Sequence, residues 1–108
     1  MIYKDAEAII IGRVLFDETT DYEEFLEYIK PEYFTLRKYE KVYNVIKDLF
    51  DRGVEISPRS ISLNMGNVMT EYGDLLDIYS ITLYREAIRV LKKGYYQKKI
   101  REIVASEM

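Results

Sequence analysis

The sequence predicts an all-α domain, for three reasons. Apolar residues recur at the spacing of a helical face in several separate segments, residues that start or stop helices divide these segments, and no stretch alternates as a half-buried strand would. A chain of 108 residues that is 48% hydrophobic and 32% charged fits one ordinary domain. We therefore expect a compact multi-helix body over residues 1–66, followed by a C-terminal helical hairpin or long helix over residues 67–108.

The first two helices are predicted at about residues 5–15 and 21–29. The first carries four apolar side chains at the spacing of one helical face, Ala6, Ile9, Ile10 and Val14. The second begins with the sequence from Thr20 to Glu23, in which a hydroxyl residue precedes a glutamate by three positions, as in a capping box. Pro31 ends this helix, because the residue before a proline is displaced from helical backbone conformation.

The third and fourth helices are predicted at about residues 35–52 and 58–64. Thr35 is the expected N-cap of the third helix, and Gly53 is expected to end it in a left-handed conformation. One face of this helix is apolar, and most of its charged residues lie on the other. Ser57 and Pro58 then combine a capping side chain with a proline at the first helical position, which predicts the start of the fourth helix.

Beyond the body, the helical periodicity fades from Gly66 to Gly73, and this segment is predicted to be a loop. A brief fifth helix is expected over residues 74–79. The last helix should extend from Thr82 to about Glu107, with Gly94 as its only weak position. Because the chain ends at Met108 within a helical pattern, we expect it to be a fragment of a longer protein.

The composition argues against several classes of enzyme, and the sequence also argues against a membrane-spanning or secreted protein. Cysteine and histidine are both absent, which removes disulfides, thiolate zinc sites, cysteine nucleophiles and the commonest general base. The longest apolar run, Ala8 to Ile11, is far shorter than a membrane span, and the N-terminus has no signal pattern. We therefore predict a cytoplasmic protein.

No ATPase motif is present either. A phosphate-binding loop needs a glycine-rich turn that ends in Gly-Lys-Ser/Thr, whereas the five glycines here are scattered along the chain. The cluster of Asp21, Glu23, Glu24 and Glu27 could hold a hard cation, but acidic residues are also favoured in the first turn of any helix. We favour that second interpretation and predict no catalytic residue, no metal and no cofactor in this chain.

Charge is distributed unevenly along the sequence. Residues 1–80 carry 9 basic and 16 acidic side chains, a net charge of −7, whereas residues 81–108 carry 7 basic and 3 acidic ones, a net charge of +4. This polarity fits either a nucleic-acid surface or two complementary faces of one assembly. Four basic residues of the last helix are candidates for DNA contact, although a solvated helix face is the simpler interpretation: Arg85, Arg89, Lys92 and Lys93.

The last helix also has a wide apolar surface. Two adjacent apolar stripes run along it, which is more than one neighbouring element needs to cover. Tyrosines, which are common at protein interfaces, are concentrated here. We therefore predict that the helix contacts its own domain on one side and a second subunit on the other. The candidate interface residues are Tyr79, Leu83, Tyr84, Ala87, Ile88, Leu91, Tyr95 and Tyr96.

Two stretches resemble the N-terminal domain of DnaB-type replicative helicases. The segment from Ala6 to Asp17 (AEAIIIGRVLFD) is similar to the opening of that domain, and Pro31 to Phe34 (PEYF) is similar to its Pro-Glu-x-Phe turn. A long third helix that ends in glycine and a short link to Ser57 follow in the same order. Ser57 replaces a usual aspartate and Tyr39 a usual histidine, and the resemblance weakens beyond residue 66.

The resemblance implies an oligomerisation and docking domain of a hexameric helicase of a bacterium or its phage. In that family a helical body precedes a hairpin, hairpins from two subunits pack together, and three dimers form a collar. The implied partners are other copies of the chain, a primase and a helicase loader, whereas ATP and Mg belong to a motor domain outside these residues. Two alternatives remain, the helicase-binding domain of a primase and a small nucleic-acid-binding helical protein. The order of the motifs disfavours the first, and the acidic net charge disfavours the second.

Overall fold

Six α-helices and no strand make up residues 1–107, the part of the chain that the computed structural model describes. The helices are α1 (Tyr3–Phe16), α2 (Tyr22–Tyr28), α3 (Arg37–Asp51), α4 (Pro58–Met65), α5 (Val68–Tyr72) and α6 (Tyr84–Glu107). Short 3-10 turns at Pro31–Tyr33 and Gly73–Leu76 follow α2 and α5. The all-α prediction is confirmed.

Helix α1 is the centre of the fold. Every residue from Ala6 to Gly12 is buried, because α6 packs along α1 while α3, α4 and the Gly73–Leu76 turn cover its other sides. The sequence indicated a single apolar stripe on this helix. A helix that is covered all round needs apolar or small residues on every side, which the run from Ala8 to Gly12 supplies.

The start of α2 differs from the predicted capping box. Asp21 is the N-cap, and its side chain accepts a hydrogen bond from the backbone N–H of Glu24. The Thr20 hydroxyl instead donates to the backbone carbonyls of Asp17, at 2.7 Å, and Arg13, at 3.0 Å. Thr20 therefore adds a side-chain donor at the end of α1, where the Arg13 and Asp17 carbonyls also accept from the backbone N–H groups of Asp17 and Thr20.

The start of α3 also differs. The N-cap is Leu36, which provides no side-chain hydrogen bond, and the helix begins at Arg37 rather than at residue 35. Thr35 is engaged elsewhere: its backbone N–H and its hydroxyl both donate to the buried carboxylate of Glu7 on α1. The end of α3 agrees with the prediction, since Gly53 adopts a φ of 69° after the last turn.

The link to α4 is as predicted, whereas the segment after it is not. Ser57 and Ser60 form reciprocal capping hydrogen bonds at the start of α4. Residues 66–73, which were expected to be a loop, contain α5, and the expected helix at 74–79 is only the short turn Gly73–Leu76. Burial explains the difference, because Tyr72 packs into the core and its hydroxyl donates to the backbone carbonyl of Lys38 at 2.8 Å.

The C-terminal part contains one long helix. Helix α6 begins at Tyr84, two residues later than predicted, and continues through Gly94 without a break. A Cβ at Gly94 would lie 2.4 Å from the ring of Tyr3 on α1, so the missing side chain permits the two helices to approach closely. Burial, followed by the nearby carboxylate of Glu7, raises the pKa of Tyr3 to about 12.

Candidate interaction surfaces

The inner face of α6 belongs to the core of the domain. Tyr84, Ala87 and Leu91 are at most 3% exposed, although the sequence placed them in the candidate subunit interface. The Arg13 guanidinium lies 4.2 Å above the centre of the Tyr84 ring, and burial raises the pKa of Tyr84 above its ordinary value. These three side chains are assigned to the core, because one apolar stripe of α6 is needed to cover α1.

Three other candidate residues are partly buried against the body. Tyr79 lies against Gly12 of α1, where an added Cβ would meet the Tyr79 Cβ at 2.6 Å. The Tyr95 ring packs on the buried Tyr33, with ring centres 4.9 Å apart, and Ile88 borders the same core. Part of each side chain stays accessible, so these residues can contribute only the edge of an interface.

The exposed apolar surface of α6 lies further along the helix. Of the two remaining candidates, Leu83 lies just before α6 and is 41% exposed, whereas Tyr96 lies within the helix and is 45% exposed. We define the distal stripe as Tyr96, Ile100, Ile103 and Val104, all 45–60% exposed. The last three were not among the predicted site residues, although their spacing with Tyr96 at i, i+4, i+7 and i+8 is the signal of one helical face.

The proximal half of α6 presents a cationic surface. We define the basic ridge as Arg85, Arg89, Lys92 and Lys93, which are all exposed. Arg85 lies 3.8 Å from Glu24 of α2, and its side chain remains 81% exposed. The structure brings together all four residues that the sequence proposed for DNA contact.

An acidic depression includes two residues of the acidic cluster noted in the sequence, Asp21 and Glu23, for which no docking role was predicted. It has a volume of about 580 Å³ and lies between the start of α2 and the link from α3 to α4. We define this acidic groove by its three carboxylates, Asp21, Glu23 and Glu55, and by the half-exposed Phe50 and Val54. No basic side chain lines the groove.

Among the side chains that the structure describes, up to residue 106, no group of three acidic residues is close enough to form a metal site. Two carboxylates at the start of α2 have other contacts. Asp21 caps the helix, and Glu24 lies near Arg85. Every helix in the same range is too short or too polar to cross a membrane. The prominent features of the surface are therefore the distal stripe, the basic ridge and the acidic groove.

Comparison with known families found one match, and it covers almost the whole chain. The family is described as the DnaB-like helicase N terminal domain, and it matches residues 2–102. Comparisons with curated proteins and with solved structures found no match. The family match extends the resemblance into α6 as far as residue 102, so that it includes the core face of that helix, together with Tyr96 and Ile100 but not Ile103 and Val104 of the distal stripe. The chain belongs to the DnaB-like helicase N-terminal domain family.

Proposed function

We propose that this chain is the oligomerisation and protein-docking domain of a hexameric replicative DNA helicase. The observation that carries the proposal is the distal stripe, an apolar surface on a helix whose opposite face already fills the core. Soluble monomers seldom leave a contiguous apolar surface exposed without a binding role. Family membership supports the proposal, because the family belongs to replicative helicases.

The distal stripe is suited to contact a second copy of itself. Its four side chains lie on one face over about two helical turns, the arrangement by which helices pack side by side. Four half-exposed side chains offer less than the roughly 800 Å² per partner that is typical of stable complexes. The isolated domain should therefore form a weak, concentration-dependent dimer, to which Tyr95 adds surface next to Tyr96.

Within the parent helicase, we propose that such dimers assemble into a collar that recruits a primase or a helicase loader in the cytoplasm. ATP and Mg would act in a motor domain, since these 108 residues contain no phosphate-binding loop. Docking of a partner protein requires an accessible surface beyond the dimer contact, and the exposed apolar residues of α4 and α5, Leu63 and Met69, supply one. The alternative of a primase domain has no support from the family match.

Sedimentation equilibrium of the wild type and of Ile100→Asp and Ile103→Asp tests the dimer. Both side chains are about 60% exposed, so each variant should keep its helical content. A carboxylate would have to lose its hydration in the dimer but not in the monomer, which should weaken association by about tenfold or more.

Met69→Asp is the matched control, because Met69 is 61% exposed on α5 and lies far from α6 in sequence. It should leave the dissociation constant unchanged. A wild type that remains monomeric at millimolar concentration would refute self-association through the distal stripe.

A further inference from the structure

The basic ridge and the distal stripe occupy the same face of α6, one above the other. Each basic residue has an apolar counterpart eleven residues later: Arg85 and Tyr96, Arg89 and Ile100, Lys92 and Ile103, Lys93 and Val104. Eleven residues make just over three helical turns, so the two sets are aligned about 16 Å apart along the helix axis. Both sets face away from Ala87 and Leu91, the residues that pack into the core.

Contact through the distal stripe cannot cover the basic ridge. Two ridges placed side by side would bring four pairs of like charges together, which opposes association. The ridge also contains like charges at i, i+4, which destabilise a helix rather than support it. Among the described residues, Arg89, Lys92 and Lys93 have no ion-pair partner. Most of the ridge is therefore free to bind an acidic partner from outside the chain.

The acidic groove supplies complementary chemistry beside the start of the ridge, since its Asp21 also lines the depression that contains Arg85. Its carboxylates line an open depression with no basic side chain, and neither Glu23 nor Glu55 forms a salt bridge within residues 1–107. Phe50, whose ring centre lies 5.5 Å from the Lys47 ammonium, and Val54 give the groove an apolar border, along which the alkyl parts of further arginine and lysine side chains can pack. The groove and the ridge thus carry opposite charges, and both combine charged groups with apolar parts.

We propose that the basic ridge of one copy docks into the acidic groove of a second copy. Because the two surfaces differ, one such contact leaves a second ridge and a second groove free, and these either engage each other across a two-fold axis or bind further chains. The proposal concerns contacts between copies, as the proposed function does, but it uses surfaces that the distal stripe does not include. A contact built on exposed charges is weakened by salt, whereas an apolar contact is not.

Charge reversal on each surface tests the docking by sedimentation velocity of the full chain at low and high salt. Arg89→Glu with Lys92→Glu reverses the ridge, and Glu23→Lys with Glu55→Lys reverses the groove. Each double variant alone should associate at least about tenfold more weakly than the wild type at low salt. A mixture of the two should recover association, because the reversed ridge then meets the reversed groove.

Arg37→Glu with Lys41→Glu is the control, since it makes the same charge change on exposed residues of α3. Two outcomes would overturn the proposal: a mixture that stays as dissociated as its components, or ridge variants that associate normally but lose tight binding to single-stranded DNA. A proposal that fails in this way leaves the proposed function intact, because the dimer sensitive to Ile103→Asp would persist. If the proposed function fails instead, Ile103→Asp should leave the self-association of the chain unchanged.

Discussion

A single buried carboxylate connects the start of the fold to its middle. Glu7 is 0% exposed on α1, and it accepts hydrogen bonds from the backbone N–H and, at 2.7 Å, from the hydroxyl of Thr35. A buried charge is tolerated when hydrogen bonds to it replace its hydration. Glu7 thereby fixes the chain between the Pro31–Tyr33 turn and α3, a position that no cap residue of α3 secures.

Glu7→Gln should lower the free energy of unfolding by about 1–3 kcal/mol, the usual cost of disrupting buried hydrogen bonds. The glutamine amide has one oxygen in place of two, so its NH₂ group would face one of the Thr35 donors. Urea unfolding monitored by circular dichroism measures the change. Glu18→Gln, on an exposed side chain, is the control, and an equal loss in both variants would contradict the role assigned to Glu7.

Asp17 joins the end of α1 to the turn that follows. Its carboxylate accepts hydrogen bonds from the Thr19 hydroxyl at 2.6 Å and from the Thr19 backbone N–H at 2.8 Å. The hydroxyl bond is the main cause that lowers the Asp17 pKa, and the backbone bond and Arg13 act in the same direction against the effect of burial. The folded state therefore favours the ionised form.

The contribution of Asp17 to stability should be complete above the unfolded-state pKa of about 4 and should disappear as the pH falls through the lower folded-state pKa. Asp17→Asn should consequently be less stable than the wild type at pH 7, and the difference should shrink towards pH 3. Urea unfolding at both values measures it. A difference that does not change with pH would show that the charge of Asp17 contributes nothing.

At the scale of the helices, the sequence predicted where most helices lie better than it predicted the residues at which they begin. Helical spacing located α1 to α4 and α6, because the apolar face of a helix produces a regular spacing of apolar residues within a short segment of sequence. Thr20 and Thr35 were predicted as cap residues of the following helices, but each hydroxyl bonds α1 instead. The acceptor that each hydroxyl bonds depends on which groups lie nearby in the folded chain. The local sequence does not contain that information.

Gly94→Ala tests how tightly α1 and α6 pack. Alanine favours a helix interior over glycine by about 1 kcal/mol, but its Cβ would overlap the Tyr3 ring. Tyr3 cannot move freely, since its hydroxyl donates to the backbone carbonyl of Tyr33. We expect a net loss of about 1–3 kcal/mol in the free energy of unfolding, typical of overpacking.

Thermal unfolding of Gly94→Ala in a Tyr3→Ala background is the companion measurement. With the ring removed, the added methyl group should stabilise the chain rather than destabilise it. If Gly94→Ala has the same effect in both backgrounds, the close approach to Tyr3 does not restrict residue 94.

At the scale of the whole molecule, the candidate surfaces were only partly predictable. The basic ridge could be located because its four residues share one face of one helix. The core face and the exposed face of α6 could not be separated, since both are apolar and only the position of α1 decides that Leu91 is buried and Ile103 exposed. The acidic groove escaped notice because Glu23 and Glu55 are 32 positions apart and meet only through the fold.

The uneven packing of α6 gives its two halves different sources of stability. Its first half is held by α1, whereas the side chains of residues 96–106 are all largely exposed. An isolated helix of that length is marginal in water, but here the packed half has already formed the nucleus, so only propagation remains. Each residue added or lost at this end changes the free energy only slightly. Helix propensity at positions that touch no partner, such as Ser106, therefore helps to set how much of the distal stripe is formed, and with it the affinity of the dimer.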